Sequence, residues 1–345
     1  MASRAAFICG LAGPTLSGDE HRFLSDTRPA GIILFTRNLE HHDQIRRLVA
    51  EARAAIGGDD TLVLIDQEGG RVQRLRPPLG RALPPASAYG ALYLEEPEKA
   101  CRDAHLVARL LAQDLKDLGI DTDCVPVLDL PVAGAHQIIG DRAYGETVAQ
   151  VVALGGAVAD GLIAGGVVPV IKHIPGHGRA GADSHLSLPV VTTALSELEG
   201  SDFATFRALA HLPAAMTAHV VYSDIDEAHP ASTSAKITAQ IIRGHIAFEG
   251  LLMSDDLGMK ALAGPMRARA EAVIAAGSDL ALHCNGDFGE MQAVAAGVPA
   301  LSGAALRRFE NALGVTRSVT PYNRDAAEFV LEGMLVRHAS TRESV

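Results

Sequence analysis

The stretch "KHIPGHGRAGADSHLSLPVV", residues 172–191, carries three histidines, one aspartate and three glycines, directly behind the apolar run "GGVVPVI". Titratable and flexible residues gathered at the end of a buried strand suit proton transfer from a loop. Similar residue types stand behind other apolar runs. Asp66, Glu68, Arg71 and Arg74 fall in "DQEGGRVQR". Asp129 precedes "GDRAYG", which holds Arg142. His219, Asp255, Asp256 and His283 end later runs. Carboxylates accept hydrogen bonds from hydroxyls, and arginine and lysine donate to them. Brought to one rim, this set suits a small, polar, hydroxyl-rich ligand.

The elements that must position these residues are eight short apolar runs, at 5–13, 30–38, 61–70, 121–130, 167–176, 214–222, 250–258 and 279–285. Most are continuous rather than alternating, as in parallel strands buried on both faces. Helical patterns lie between them. "EKACRDAHLVARLLAQDLKDLG" places Val107, Leu110, Leu111, Leu115 and Leu118 on one stripe, with Gly119 as a stop. "HDQIRRLVAEARAAIGG", "ETVAQVVALGGAVADGLIAGG" and "SELEGSDFATFRALAH" fill other gaps. Strand and helix alternating eight times predict an α/β fold, a (β/α)8 TIM barrel. The alternative is a doubly wound sheet, but no G-x-G-x-x-G follows the first strand. The expected organisation is one domain over 1–345, with the barrel at about 5–315 and a last helix and tail beyond. The Pro-rich "RPPLGRALPPASAYG" reads as a surface excursion.

The 345 residues are 48% hydrophobic and 21% charged, enough for a large core. A net charge of -11 argues against a nucleic-acid surface and gives anionic membranes nothing to attract. Cys9, Cys101, Cys124 and Cys284 lack C-x-x-C spacing. Cys9, Cys124 and Cys284 lie in apolar runs and read as buried, reduced thiols, which fits a reducing compartment. "MASRAAFICGLAG" has a short apolar run and no A-x-A site, so it reads as a first strand rather than a signal peptide. No segment approaches the roughly 18 apolar residues a membrane span needs. The expectation is a cytoplasmic protein.

"IDQEGGRVQRL", "GDRAYG", "KHIPGHG" with "DSHLSLP", "MTAHVVYSDID" with "PAS", and "MSDDLGMKAL" resemble the blocks of bacterial β-N-acetylglucosaminidases of glycoside hydrolase family 3. More narrowly, they are similar to the single-domain cytoplasmic type that acts in peptidoglycan recycling. The blocks run in order over about residues 5–315. The resemblance implies a retaining two-step mechanism with Asp255 as nucleophile. Neighbours on a strand point to opposite faces, so only one of Asp255 and Asp256 faces the barrel mouth, and the motif favours Asp255. It also implies that Asp183 and His185 form the acid/base pair. In an extended D-x-H both side chains point the same way, and an anionic partner favours the imidazolium. His185 then protonates the leaving sugar and later activates water.

Asp66, Arg74, Arg142, Lys172 and His173 match the family positions that grip N-acetylglucosamine. The implied substrates are GlcNAc-1,6-anhydro-N-acetylmuramic acid peptides. The partners expected are this small-molecule substrate alone, with no nucleic acid, no membrane, no cofactor and no metal; the protein is read as a monomer. Gly176, Gly178 and Gly181 read as making the acid/base loop deformable, His177 as a brace of that loop, and Glu68 as buried and paired. At Ala143-Tyr144 the chain departs from the family, which more often has Ser-Phe, and the subsite wall is expected to differ there.

Three rivals remain. Some family members pass the sugar to phosphate, which a histidine acid/base would not repel. His173, His177, Asp183 and His185 invite a metal site, but Pro175 and Gly176 break the helix an i, i+4 ligand pair needs. A sugar sensor would have no need for Asp255 together with the Asp183–His185 pair.

Overall fold

The computed structural model describes residues 3–132, 134, 136–181, 184 and 187–343. Eight parallel strands close into a barrel with helices outside. They are β1 (Ala5–Gly10), β2 (Pro29–Leu34), β3 (Leu62–Ile65), β4 (Thr122–Asp123), β5 (Val168–Ile174), β6 (Ala214–Thr217), β7 (Leu251–Asp256) and β8 (Leu280–His283). Each pairs with its neighbour in sequence, and β1 closes on β8 with Phe7 opposite Ala281. The fold is the (β/α)8 barrel.

The continuous apolar runs build two cores because side chains alternate along each strand. Ile8, Leu64, Val170, Met253 and Leu282 fill the barrel interior. Phe7, Val63, Ile171, Leu252 and Ala281 face the helices. Burying such a side chain contributes about 1.5–3 kcal/mol, so both faces hold the sheet closed. The helix Gly303–Val315 adds Phe309, Ala312 and Leu313 to the interior core. It follows Leu301, whose N–H donates to the Arg4 carbonyl where β1 begins, so it stoppers the end opposite the loops discussed below.

All eight strands are shorter than their apolar runs, and in four of them the chain shows why. The run 121–130 is ordered as a strand only over Thr122–Asp123, with an isolated bridge from Val127 to Lys172. Pro126 has no N–H to donate, and the Val125 N–H turns back onto the Asp123 carbonyl. After Ile65 the chain forms a small hairpin, Gln67–Gly69 with Val72–Gln73. After Leu34 it enters the 3-10 turn Thr36–Asn38, and beyond Thr217 the pair Val221–Tyr222 leaves the barrel to join Val190–Val191.

The helix Pro97–Lys116 buries Val107, Leu110 and Leu115 and gives way to Gly119 at φ +82°, as the stripe requires; Leu111 is only half-buried. The excursion at 76–90 is a surface feature only in its first half. Pro84, Pro85 and Ala86 are buried, and the helix Ala86–Glu95 packs Tyr89 and Leu92 inward. The last helix, Arg324–Glu343, buries Ala327, Leu331 and Met334 against Pro97–Lys116. Among the described residues no helix is long and apolar enough to cross a membrane.

Candidate active site

Strand parity decides which side chains reach the mouth. Leu251 and Met253 of β7 point into the barrel, so Asp255 continues that face and lines a cavity of about 250 Å³ at the strand ends. Asp256 turns the other way. Its Oδ1 accepts from the backbone N–H of Gly258 at 3.0 Å and of Cys284 at 2.9 Å. The Asp256 N–H donates to Asp255 Oδ1 at 2.8 Å. The same parity on β8 sends Leu282 and Cys284 to the cavity and His283 outward, where its Nε2 lies 3.0 Å from Glu290 Oε2. His219 is buried between Ser232 Oγ at 2.7 Å and the Asp256 carbonyl at 3.0 Å. Asp255 thus faces the mouth and Asp256 does not, as the strand alternation required, whereas the expectation that His219 and His283 join the rim is corrected: neither lines this cavity.

Asp66, Arg74, Arg142, Lys172 and His173 all line the cavity with Asp255. Lys172 comes from β5, an inward-facing lysine only 2% exposed. Its Nζ lies 3.0 Å from Asp66 Oδ1 and 2.7 Å from Glu68 Oε1. Arg74 reaches Asp66 Oδ2 at 2.9 Å, and Arg142 grips both oxygens of Glu68 at 2.8 Å. Burial pushes the Asp66 and Glu68 carboxyls up. Lys172 with Arg74, and Lys172 with Arg142, outweigh that penalty and hold both below their ordinary values, Glu68 at about 2. The two acids stay ionised, and an ionised carboxylate only accepts hydrogen bonds. The Lys172 ammonium, disfavoured by burial, is held above its ordinary value by the same two carboxylates. Glu68 is thus buried and paired, as expected, and it also lines the cavity.

His173 Nδ1 lies 2.6 Å from Asp129 Oδ2. The other oxygen of Asp129 accepts from the backbone N–H of His173 at 3.2 Å and of His177 at 2.7 Å. This one buried carboxylate fixes the root of the loop behind β5. Gly176 and Gly178 belong to that root rather than to a hinge. Gly176 has φ +142°, and the Tyr222 hydroxyl donates to its carbonyl. A Cβ at Gly178 would lie 1.7 Å from the Leu130 carbonyl oxygen. These two glycines answer a close approach; a Cβ at Gly181 would meet nothing within 4 Å among the described residues. His177 is buried, lines the cavity and reaches Ser184 Oγ with Nε2 at 3.0 Å. Asp183 and His185 lie outside the described residues.

Several lining residues carry no chemistry that singles them out in the sequence. Ile33, Met216 and Leu282 give the cavity an apolar floor. Cys284 was expected to be buried like Cys9 and Cys124, but it is half-buried and lines the cavity. The parity of Leu280, Leu282 and Cys284 was the available signal. Ala143 and Tyr144 are buried and do not line this cavity, so the departure there leaves its wall unchanged. Among the described residues no group of three histidine, cysteine or acidic side chains is placed to hold a metal ion.

The glycosyl hydrolase family 3 N-terminal domain matches residues 10–314. A β-hexosaminidase of Alkalilimnicola ehrlichii is 42% identical over 282 residues, covering 81% of this chain and 80% of that protein. One from Bordetella parapertussis is 39% identical, covering 80% and 78%. Among solved structures, NagZ from Neisseria gonorrhoeae in complex with N-trifluoroacetyl-D-glucosamine superposes with a TM-score of 0.82 at 32% identity, over 98% of this chain and 96% of that one. LpqI of M tuberculosis gives 0.75 at 28% identity, over 92% of each. The match runs from the end of β1 through β8 and the helix that stoppers the barrel, and the protein belongs to glycosyl hydrolase family 3.

Proposed function

We propose that this β-N-acetylhexosaminidase is a retaining exo-β-N-acetylglucosaminidase with Asp255 as nucleophile and Asp183–His185 as acid/base pair. The observation that carries the reading is the single cavity where Asp255 stands with Asp66, Arg74, Arg142, Lys172 and His173. At about 250 Å³ it is smaller than the roughly 300 Å³ where drug-sized pockets begin, which suits one sugar ring. The β-hexosaminidase relatives and the glucosamine derivative held by the N. gonorrhoeae protein support N-acetylglucosamine as that sugar.

In the first step the Asp255 carboxylate attacks the anomeric carbon. The bond to the leaving sugar breaks, its electron pair goes to the glycosidic oxygen, and His185 as imidazolium gives that oxygen its proton. Neutral His185 then takes a proton from water, whose oxygen attacks the same carbon and frees Asp255. Two inversions retain configuration. Asp66, Lys172, Arg74 and Arg142 hold the ring hydroxyls during both steps, and a grip preset by ion pairs needs no reorganisation at the moment of reaction.

The substrates proposed are GlcNAc-1,6-anhydro-N-acetylmuramic acid peptides, in cell-wall recycling, by a monomer working in the cytoplasm. Four free cysteines are in keeping with that reducing compartment.

The test is release of p-nitrophenol from its β-N-acetylglucosaminide by wild type, Asp255→Ala and His185→Ala, with and without phosphate. The reading expects N-acetylglucosamine as product in both buffers, no turnover by Asp255→Ala, and a mild defect in His185→Ala. Full activity in Asp255→Ala removes the nucleophile assignment. A sugar phosphate as product makes the protein a phosphorylase.

A further inference from the structure

Ser184 is only 2% exposed although it stands in a polar loop. Its hydroxyl lies 3.0 Å from His177 Nε2, and its carbonyl accepts from the Ala261 N–H at 3.3 Å. His177 is equally buried, at 2%. Asp129 Oδ1 holds the His177 backbone N–H at 2.7 Å, and its ring centre sits 5.5 Å from that of His173. Ala261 belongs to the segment that leaves β7 just beyond Asp255. One serine is therefore tied both to the loop root behind β5 and to the loop behind the nucleophile's strand.

A loop serine normally gives its hydroxyl to water. Burying it costs free energy unless a partner replaces that water, and here His177 does so. The His177 ring is held neutral, at about 4, by burial and by its neighbour His173. A neutral ring carries one donor and one acceptor, so it can meet the serine hydroxyl in either sense. In the sequence Ser184 separates Asp183 from His185.

We propose that His177, Ser184 and the Ala261 N–H form a latch between the loop behind β5 and the loop behind β7, with His177 and Ser184 acting through it as positioning residues for the acid/base step. This rests on the acid/base reading above. The latch spans the two loops whose groups act on opposite ends of the same glycosidic bond. A shift of about 1 Å in a catalytic group costs about 100-fold in rate, so such a tie matters to the chemistry.

The test compares wild type, Ser184→Ala, Ser184→Thr, His177→Asn and His185→Ala on two substrates. One is the activated p-nitrophenyl β-N-acetylglucosaminide. The other is N,N′-diacetylchitobiose, whose alcohol leaving group needs the proton. Ser184→Ala removes one oxygen, and circular dichroism confirms that it folds. The latch predicts that kcat/KM of Ser184→Ala and His177→Asn falls about 10-fold or more on the disaccharide and less than about 3-fold on the aryl glycoside, with kcat carrying the loss. Ser184→Thr, which restores the hydroxyl, recovers most of it. Equal losses on both substrates, or none on either, overturn the latch, provided His185→Ala keeps its own leaving-group dependence. A His185→Ala variant with no such dependence overturns the acid/base reading itself, and the latch with it.

Discussion

Glu68 and Arg142 meet in a two-pronged ion pair, Nε to Oε2 and Nη2 to Oε1, each 2.8 Å long, across 74 residues of sequence. The pair ties the hairpin behind β3 to the 3-10 turn Gly140–Arg142, with side chains only 6% and 10% exposed. A fork of this kind fixes direction as well as charge. Arg142→Lys keeps the charge and loses the fork; Arg142→Ala leaves a nearly buried carboxylate with Lys172 alone. We expect Arg142→Ala to cost about 3–5 kcal/mol of stability and Arg142→Lys distinctly less, as read by urea unfolding. Both raise KM.

Lys172 is the cation that Asp66 and Glu68 share. Lys172→Met keeps the stem and deletes the ammonium. Charged hydrogen bonds contribute about 1.5–3 kcal/mol, so kcat/KM is expected to fall about 10- to 100-fold in steady-state assays. Without this ammonium, the Asp66 and Glu68 carboxyls rise toward their ordinary values, and activity fails at a higher pH on the acid side than in wild type.

His177 gives stability a pH dependence of known sign. Its folded value, about 4, lies below the ordinary 6.5 because burial and His173 disfavour the cation. The unfolded chain therefore binds the proton first. The contribution is fully present above about pH 6.5 and is lost as pH falls toward about 4, by about 3 kcal/mol across the window. His177→Asn lacks this limb. Its unfolding free energy, followed by urea titration from pH 7 to 4, should decline less steeply than that of wild type.

Cys284 lines the cavity, yet burial and then Asp256 hold its thiol well above the ordinary range. The thiolate is the reactive form, so iodoacetamide at pH 7.5 should label Cys284 far more slowly in the folded protein than in urea. Peptide mass spectrometry reads the two rates. N-acetylglucosamine in the buffer should slow the folded rate further.

Much of this molecule was legible from the chain. All eight apolar runs hold a barrel strand, because a strand buried on both faces must be apolar throughout. Asp66, Arg74, Arg142, Lys172 and His173 were each named by a motif and meet in one cavity. The facing of Asp255 against Asp256 was legible from strand alternation. What escaped the reading was the facing of His219 and His283, which stand at or just past strand ends and turn away from the cavity, toward Ser232 and Glu290. Cys284 escaped for the converse reason: an apolar run reads as buried throughout, although the parity of Leu280 and Leu282 aims Cys284 at the cavity. Gly176 and Gly178 were legible as glycines but not as packing points, because the carbonyl that crowds Gly178 belongs to Leu130, distant in sequence. The run at 121–130 was overread because Pro126 cannot extend a ladder.

The central claim is a covalent sugar on Asp255. Incubating the enzyme with 5-fluoro-N-acetylglucosaminyl fluoride, quenching in acid and sequencing the labelled peptide by mass spectrometry tests it most directly. The fluoride makes a good leaving group, and the ring fluorine slows hydrolysis of the ester. The account predicts one added sugar per chain, attached to Asp255. A sugar on another residue, or no adduct while fluoride is released with inverted product, would contradict it.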